Sequence, residues 1–213
     1  MKINFVLTGE GTSDLRLVEH IESLLVEEGF AEASGEAPDL SLFNPPIGRS
    51  VKDKLRALAI HYPNVDVIFV HRDADGDGEE PRLREIYAAA EHIGPERIVP
   101  IIPVTMLETW LLADQKIIKR VAGNVAHKGD IPCIPSLARL EGVVDAKQIL
   151  LEALCHVSNT QGARLKRFKA RYPEMRARLT FDLDPLGPVG HLPSYQKFRA
   201  RVQEFAQIKL GCN

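Results

Sequence analysis

Four carboxylates in this sequence stand where acids can do chemistry. Glu10 follows the apolar run at residues 3–7, Asp73 and Asp75 follow the run at 65–71, and Glu108 follows a third run at 97–104. Carboxylates gathered in one place repel unless cations intervene, and hard divalent ions such as Mg²⁺ or Mn²⁺ take oxygen ligands. Two such ions about 4 Å apart stabilise both the attacking and the leaving oxygen of a phosphoryl transfer. The Asp73-Ala74-Asp75 spacing suits this, since alternate residues at a strand end point the same way and both carboxylates can face one ion. Glu10, Asp73, Asp75 and Glu108 are therefore the candidate metal ligands, for one or two ions.

These acids need a scaffold that brings distant segments together. Residues 3–7 read as a strand. After the loop Thr8-Gly9-Glu10-Gly11, the apolar residues Leu17, Val18, Ile21, Leu24 and Leu25 recur at helical spacing, with Thr12 or Ser13 as the cap. Residues 40–43 suggest a short strand stopped by Pro45-Pro46, and Val51, Leu55, Leu58 and Ala59 a second helix. The nearly continuous apolar run at 65–71 predicts a strand buried on both faces. Leu83, Ile86, Tyr87 and Ala90 mark a third helix, and residues 97–104 a strand whose prolines, Pro100 and Pro103, place it at an edge. Alternation of this kind predicts a mostly parallel sheet with helices on both faces, with ligands bound beyond the carboxyl ends of its strands. The Gly- and Pro-containing stretch 123–135 divides a core at 1–122 from a helical extension at 123–213, with helices near 145–156, 162–172 and 194–208. Trp110 is expected in the core, and Asp77 and Asp114 as surface caps.

Composition narrows the class. With 45% hydrophobic and 26% charged residues, the 213-residue chain can bury a substantial core. No apolar run approaches the roughly 20 residues of a membrane span, and Met1 to Phe5 lacks a signal-peptide core, so a cytoplasmic protein without a membrane partner is expected. Cys133, Cys155 and Cys212 are too few and too scattered for a disulfide framework or a zinc site. Charge is divided unevenly: residues 1–160 hold 16 Lys and Arg against 25 Asp and Glu, whereas 161–213 hold 11 against 4. An acidic first part with a basic last part suits cation binding in one place and a grip on a polyanion in the other, and it equally suits solvated helix faces.

Three motifs compete. Gly9-Glu10-Gly11 lacks the third glycine of a dinucleotide fingerprint, where Asp14 stands, and there is no Gly-Lys-Ser/Thr of a P-loop. Asp73-Ala74-Asp75-Gly76-Asp77-Gly78 begins like an EF-hand loop but has Arg84 at the position that needs Glu. An Asp-x-Asp after a buried strand is also similar to the nucleophile and acid of haloacid-dehalogenase phosphatases, although Asp77 stands where those have Thr or Val.

Glu10-Gly11-Thr12-Ser13-Asp14 followed by Asp73-Ala74-Asp75 resembles the TOPRIM domain of topoisomerases, primases and the overcoming-lysogenisation-defect nucleases. The heptad Glu108-Thr109-Trp110-Leu111-Leu112-Ala113-Asp114, then Asp145-Ala146-Lys147 and Pro193-Ser194-Tyr195-Gln196-Lys197-Phe198, extends the resemblance over nearly the whole chain to the bacterial domain-of-unknown-function family 4276. That resemblance implies a TOPRIM-like α/β core and a Mg²⁺- or Mn²⁺-dependent phosphodiester hydrolase, a nuclease of bacterial defence or mobile elements. It implies Glu10 as general base or ligand, Asp73 and Asp75 as ligands, Glu108 at a second ion, and Lys147 as an electrophilic partner that stabilises developing charge. Asp14 would orient Glu10, and Arg72 would pair with Asp73 or touch phosphate. Arg164, Lys166, Arg167, Lys169 and Arg171 would hold the nucleic-acid backbone. Many TOPRIM-like proteins work with an ATPase, and since this chain has no Walker A sequence the resemblance leaves room for an ATPase partner. Two rivals stay open: a metal- or nucleotide-binding regulatory module without catalysis, and a phosphatase on small phosphate esters.

Overall fold

The computed structural model describes residues 1–11, 14–76 and 78–211, so the caps expected at Thr12, Ser13 and Asp77, and Cys212, lie outside the described residues. Strand β1 (Lys2–Thr8) has β2 (Glu32–Glu36) on one side and β3 (Val67–His71) on the other, with β4 (Ile98–Ile101) outside β3. Every pairing is parallel. From β1 the chain steps to β2 through helix α1 (Val18–Glu27), then crosses back over β1 through α2 (Val51–His61) to β3, and reaches β4 through α3 (Glu79–Ala90). The direction of winding therefore reverses between β1 and β3. In an open parallel sheet that reversal leaves a crevice at the carboxyl ends of the two strands, the usual place for a ligand.

Alternation along the strands divides the core. Phe5, Leu7, Val67, Phe69, Val99 and Ile101 point to the α1 face, while Val6, Ile68, Val70 and Ile98 point to the α2–α3 face. All five residues of β3 are buried, as its apolar run predicts. Glycine explains why β2 escapes a hydrophobic search: its sequence is Glu-Ala-Ser-Gly-Glu, and a Cβ on Gly35 would meet the Phe5 ring at 2.1 Å. The strand expected at 40–43 is instead a 3-10 turn, Leu40–Leu42, with the Asp39 carboxylate accepting from Ser41 N at 3.0 Å. β4 does form the edge that its prolines require.

The helices after β4 are α4 (Glu108–Leu111), α5 (Gln115–Val121), α6 (Ala146–Ser158), α7 (Gly162–Ala170), α8 (Tyr172–Phe181) and α9 (Pro193–Leu210). Asp114 caps α5, accepting from Lys116 N and Ile117 N. Helix α8 adds to the three helices expected in the extension; Pro173 in its first turn restarts a helix right after α7. Residues of α4, α6, α8 and α9 share one apolar cluster with α1 and the sheet. Trp110, Tyr195 and Phe198 form its centre, fully buried, with Trp110 Nε1 donating to Ser194 Oγ at 2.8 Å. Beside them His20 is closed off, its Nδ1 2.9 Å from Leu183 O and its Nε2 2.8 Å from Tyr195 Oη. The tautomer that fits donates from Nδ1 and accepts the Tyr195 hydroxyl at Nε2. Among the described residues no helix is long and apolar enough to cross a membrane.

Candidate functional site

The loops leaving β1 and β3 meet at the crevice, and their charges settle in two layers. The inner layer is centred on His71, the last residue of β3, whose ring is buried. Its Nδ1 lies 3.2 Å from Asp14 and its Nε2 3.3 Å from Asp73, contacts aligned as ion pairs rather than as linear hydrogen bonds. Burial presses the imidazole toward neutrality, but the two carboxylates outweigh it, and the His71 pKa is pushed up to about 10. Asp14 shows the same contest from the other side: burial would raise it, and His71 and Arg176 hold it well below the carboxylate range. Asp14 also accepts from Gly11 N at 3.0 Å, so it fixes the loop that carries Glu10. Gly9 permits this approach, since a Cβ there would lie 2.9 Å from Asp14 Cβ.

Arg176, from α8, closes the inner layer. Its Nη2 donates to Asp14 at 3.0 Å and its Nε to Glu108 at 2.6 Å, all three side chains being buried. Asp73 in turn accepts from Leu107 N at 3.1 Å, next to Glu108. A continuous path thus runs from Glu108 through Arg176, Asp14 and His71 to Asp73.

The outer layer faces solvent. Arg72 Nη1 donates to Glu10 at 2.6 Å and its Nη2 to Glu85 at 3.2 Å, while Arg82 reaches Asp75 at 3.2 Å. Glu10 Oε1 accepts from the Asp73 backbone N at 3.3 Å, so the loops of the two central strands meet there, while the Asp73 carboxylate turns to His71 Nε2 and Leu107 N. Burial raises the Glu10 pKa despite the Arg72 charge. Lys54, from α2, donates to Gly9 O at 2.7 Å, and burial followed by the neighbouring Arg72 lowers its pKa.

Three expectations need correcting. Asp73 and Asp75 do not face one point: Asp75 takes a left-handed backbone (φ 50°), which breaks the alternation of a strand, and turns its half-exposed carboxylate outward to Arg82. Glu108 does not open toward the outer acids, because the buried Arg176 guanidinium holds it. Arg72 pairs with Glu10 and Glu85 rather than with Asp73. Among the described residues no group of three or more His, Cys, Asp or Glu side chains is arranged to hold an ion. Lys147 is exposed on the first turn of α6 and makes no ion pair among the described residues.

The basic segment divides as well. Arg176 turns inward, and Lys197, Arg199 and Arg201 of α9 pair with Glu79, Glu27 and Glu28 of the acidic first part. Part of the charge asymmetry is therefore a seam between the two regions. Arg164, Lys166, Arg167 and Lys169 of α7 are exposed without ion pairs among the described residues, and the exposed Arg171 pairs with Glu174 at 3.3 Å. Sequence reasoning gave neither Arg176 nor His71 a part in the site. A buried strand ending in His before an Asp was the available signal for His71; nothing local marks Arg176.

Fold and site together define an α/β protein with a four-stranded parallel sheet, a helical C-terminal region and a charged crevice at the sheet's winding reversal. Comparison of the chain with protein-family models, curated proteins and solved structures finds no match.

Proposed function

We propose that this protein is a Mg²⁺- or Mn²⁺-dependent phosphodiester hydrolase of the TOPRIM type, acting on nucleic acid. The observation that carries the reading is the meeting of the Glu10 carboxylate with the Asp73 backbone, from adjacent central strands, at the reversal of winding, with Arg72 and Lys54 beside them. Glu10, joined by the Asp73 carboxylate once it turns from His71, would hold one hard ion: Mg²⁺ is commonly held by one or two carboxylates, with water and substrate phosphate oxygens filling its shell. Burial leaves the Glu10 charge poorly solvated, an electrostatic setting that favours a cation nearby. Asp75 can join by rotating away from Arg82, whereas Glu108 fits poorly, since a second ion there would have to displace a buried guanidinium. A bound ion would polarise the phosphate and activate water.

The chain's own residues divide the remaining work. Glu10 accepts a proton from the attacking water when its carboxylate is released by Arg72, and Arg72 and Lys54 offset charge on the phosphate. Asp14 and His71 hold the two acid-bearing loops in place. Helix α7 supplies backbone contacts and runs directly into α8, which carries Arg176. Lys147 keeps the electrophilic role only if its exposed side chain reaches the substrate. An ATPase partner belongs to the reading, and a setting in bacterial defence or mobile elements is its expected biology.

Purified full-length protein with Mn²⁺ or Mg²⁺ is expected to cleave DNA or RNA, and Glu10→Gln to lose cleavage while keeping its fold. Reversing Arg167 and Lys169 to Glu should weaken binding at every sequence and flatten its salt dependence, by roughly 0.9 in the log–log slope for each phosphate no longer neutralised. Cleavage undiminished in Glu10→Gln would remove the mechanism, and a phospho-adduct on Asp73 would replace it with the phosphatase rival. A second reading has its own support. Each acid of the crevice already meets a protein cation: Glu10 with Arg72, Asp75 with Arg82, Asp73 with His71, Asp14 and Glu108 with Arg176. Such self-neutralisation suits a regulatory module that binds without cleaving; inactivity on all substrates, with a metal-dependent rise in Tm intact, would establish it.

A further inference from the structure

The loop at residues 37–50, between β2 and α2, stands off the β1 loop and leaves a cleft of about 640 Å³ beside Glu10. That volume lies in the range of small-molecule sites, roughly 300–1,000 Å³. Its lining is of two chemical kinds. Lys54, Arg72 and the exposed Arg49 bring positive charge, while Leu40, Pro46 and Ile47 give an apolar wall.

The protein serves Lys54 and Arg72 unequally. Lys54 is half-buried and its ammonium rests on a neutral carbonyl, Gly9 O, rather than on a carboxylate. Arg72 spends its two terminal nitrogens on Glu10 and Glu85, and its buried Nε has no hydrogen-bond partner among the described residues. Asp39, the other acid of the cleft, is occupied by Ser41. Lys54 makes no ion pair among the described residues, although the charges of Glu10, Asp14 and Glu85 reach it, so an incoming anion at Lys54 and Arg72 offsets their mutual repulsion and gains charge-assisted hydrogen bonds. The apolar wall next to them would lose water only to a ligand with a flat or aliphatic body.

We propose that this cleft binds a nucleoside monophosphate group, its phosphate at Lys54 and Arg72 and its base and sugar against Leu40, Pro46 and Ile47. The inference goes beyond the hydrolase reading, because these contacts need no divalent ion. The group has two sources, a free nucleotide or the 5′-phosphorylated end of a strand.

Isothermal titration of the full-length protein in excess EDTA tests it, with adenosine 5′-monophosphate, adenosine, inorganic phosphate, and an oligodeoxyadenylate with or without a 5′-phosphate. Adenosine monophosphate should bind, with adenosine and inorganic phosphate each weaker by at least about tenfold, or about 1.4 kcal/mol. Lys54→Met should abolish binding. Arg49→Glu, at an exposed position that leaves the fold alone, should weaken it about tenfold. Oligonucleotide binding that depends on the 5′-phosphate identifies a strand end, and binding confined to the mononucleotide identifies a free nucleotide. No binding of adenosine monophosphate, or binding unchanged in both variants, overturns the proposal; phosphate binding equal to that of the nucleotide overturns its apolar half. Nucleotide binding in a protein that cleaves nothing would remove the hydrolase reading alone, and cleavage without nucleotide binding would remove this one alone.

Discussion

His20 and His71 are both closed off from water, and their neighbours leave one neutral and the other charged. His20 sits in the aromatic seam between α1 and α9, where Leu183 O and the Tyr195 hydroxyl offer one acceptor and one donor. Burial there dominates, and the His20 pKa falls to about 4. His71 sits at the crevice between two carboxylates, and its pKa rises to about 10. Burial alone thus predicts the neutral state of His20 but not the charged state of His71, which the two carboxylates facing its ring nitrogens decide. The difference also separates the molecule's tasks. The buried part of the seam joins the helical region to the sheet through neutral, paired contacts, with the ion pairs of Lys197, Arg199 and Arg201 outside them, whereas the crevice holds charges that buried groups tolerate only in compensating sets.

The largest effect should come from uncompensating the crevice. Arg176→Met leaves Glu108 buried without its cation and Asp14 with His71 alone, and breaking such a pair costs about 3–5 kcal/mol. Urea unfolding should show this as a lower midpoint, and adding Asp14→Asn and Glu108→Gln should recover most of it. A midpoint unmoved by Arg176→Met would mean the inner layer is solvated after all.

The two histidines should next divide the pH profile of stability. His71 is charged in both folded and unfolded chains below about pH 6.5, so its contribution is complete there; it is lost as pH rises from 6.5 toward 10, where only the folded chain keeps the proton. His20 works the other way. Above 6.5 it is neutral in both states, and as pH falls from 6.5 toward 4 the unfolded chain takes up a proton that the folded chain refuses, so stability falls. Asp14 adds acid sensitivity only below its unfolded value of 3.8. Thermal melts across pH should therefore show an alkaline limb that His71→Gln removes and an acid limb that His20→Gln removes. Limbs that fail to separate in this way would break the comparison.

The smallest effect belongs to the seam. Tyr195→Phe deletes one hydroxyl and leaves His20 Nε2 without its donor, at a cost of about 1–3 kcal/mol. It should leave the metal-dependent rise in Tm unchanged, whereas Asp73→Asn should diminish that rise, because ions bound only by the folded crevice act by mass action.

Local pattern made much of this legible. The apolar run before His71 marks a buried strand, Pro100 places β4 at the edge, and the acids fall at strand ends because strand and helix alternate. What the pattern could not reach was set by tertiary distance or by backbone turns. Arg176 is one basic residue among many in its segment, and only folding brings it to Asp14. Asp75 has the spacing of a partner to Asp73, and a left-handed turn sends its side chain outward. β2 has almost no apolar signal because Phe5 supplies the hydrophobic mass over Gly35.

The Arg176 bridge also has a bearing on synthesis. Asp14, Glu108 and His71 leave the ribosome well before α8 does, so during translation two carboxylates of the crevice wait for a guanidinium not yet made. A nascent chain stalled before α8 is expected to pair its strands but to leave the Glu10 loop loosely held, as protease sensitivity at residues 9–11 of stalled complexes would reveal. On the proposed hydrolase reading, the crevice would then be incomplete while the chain is still tethered to the ribosome, and would be assembled only as the last third docks.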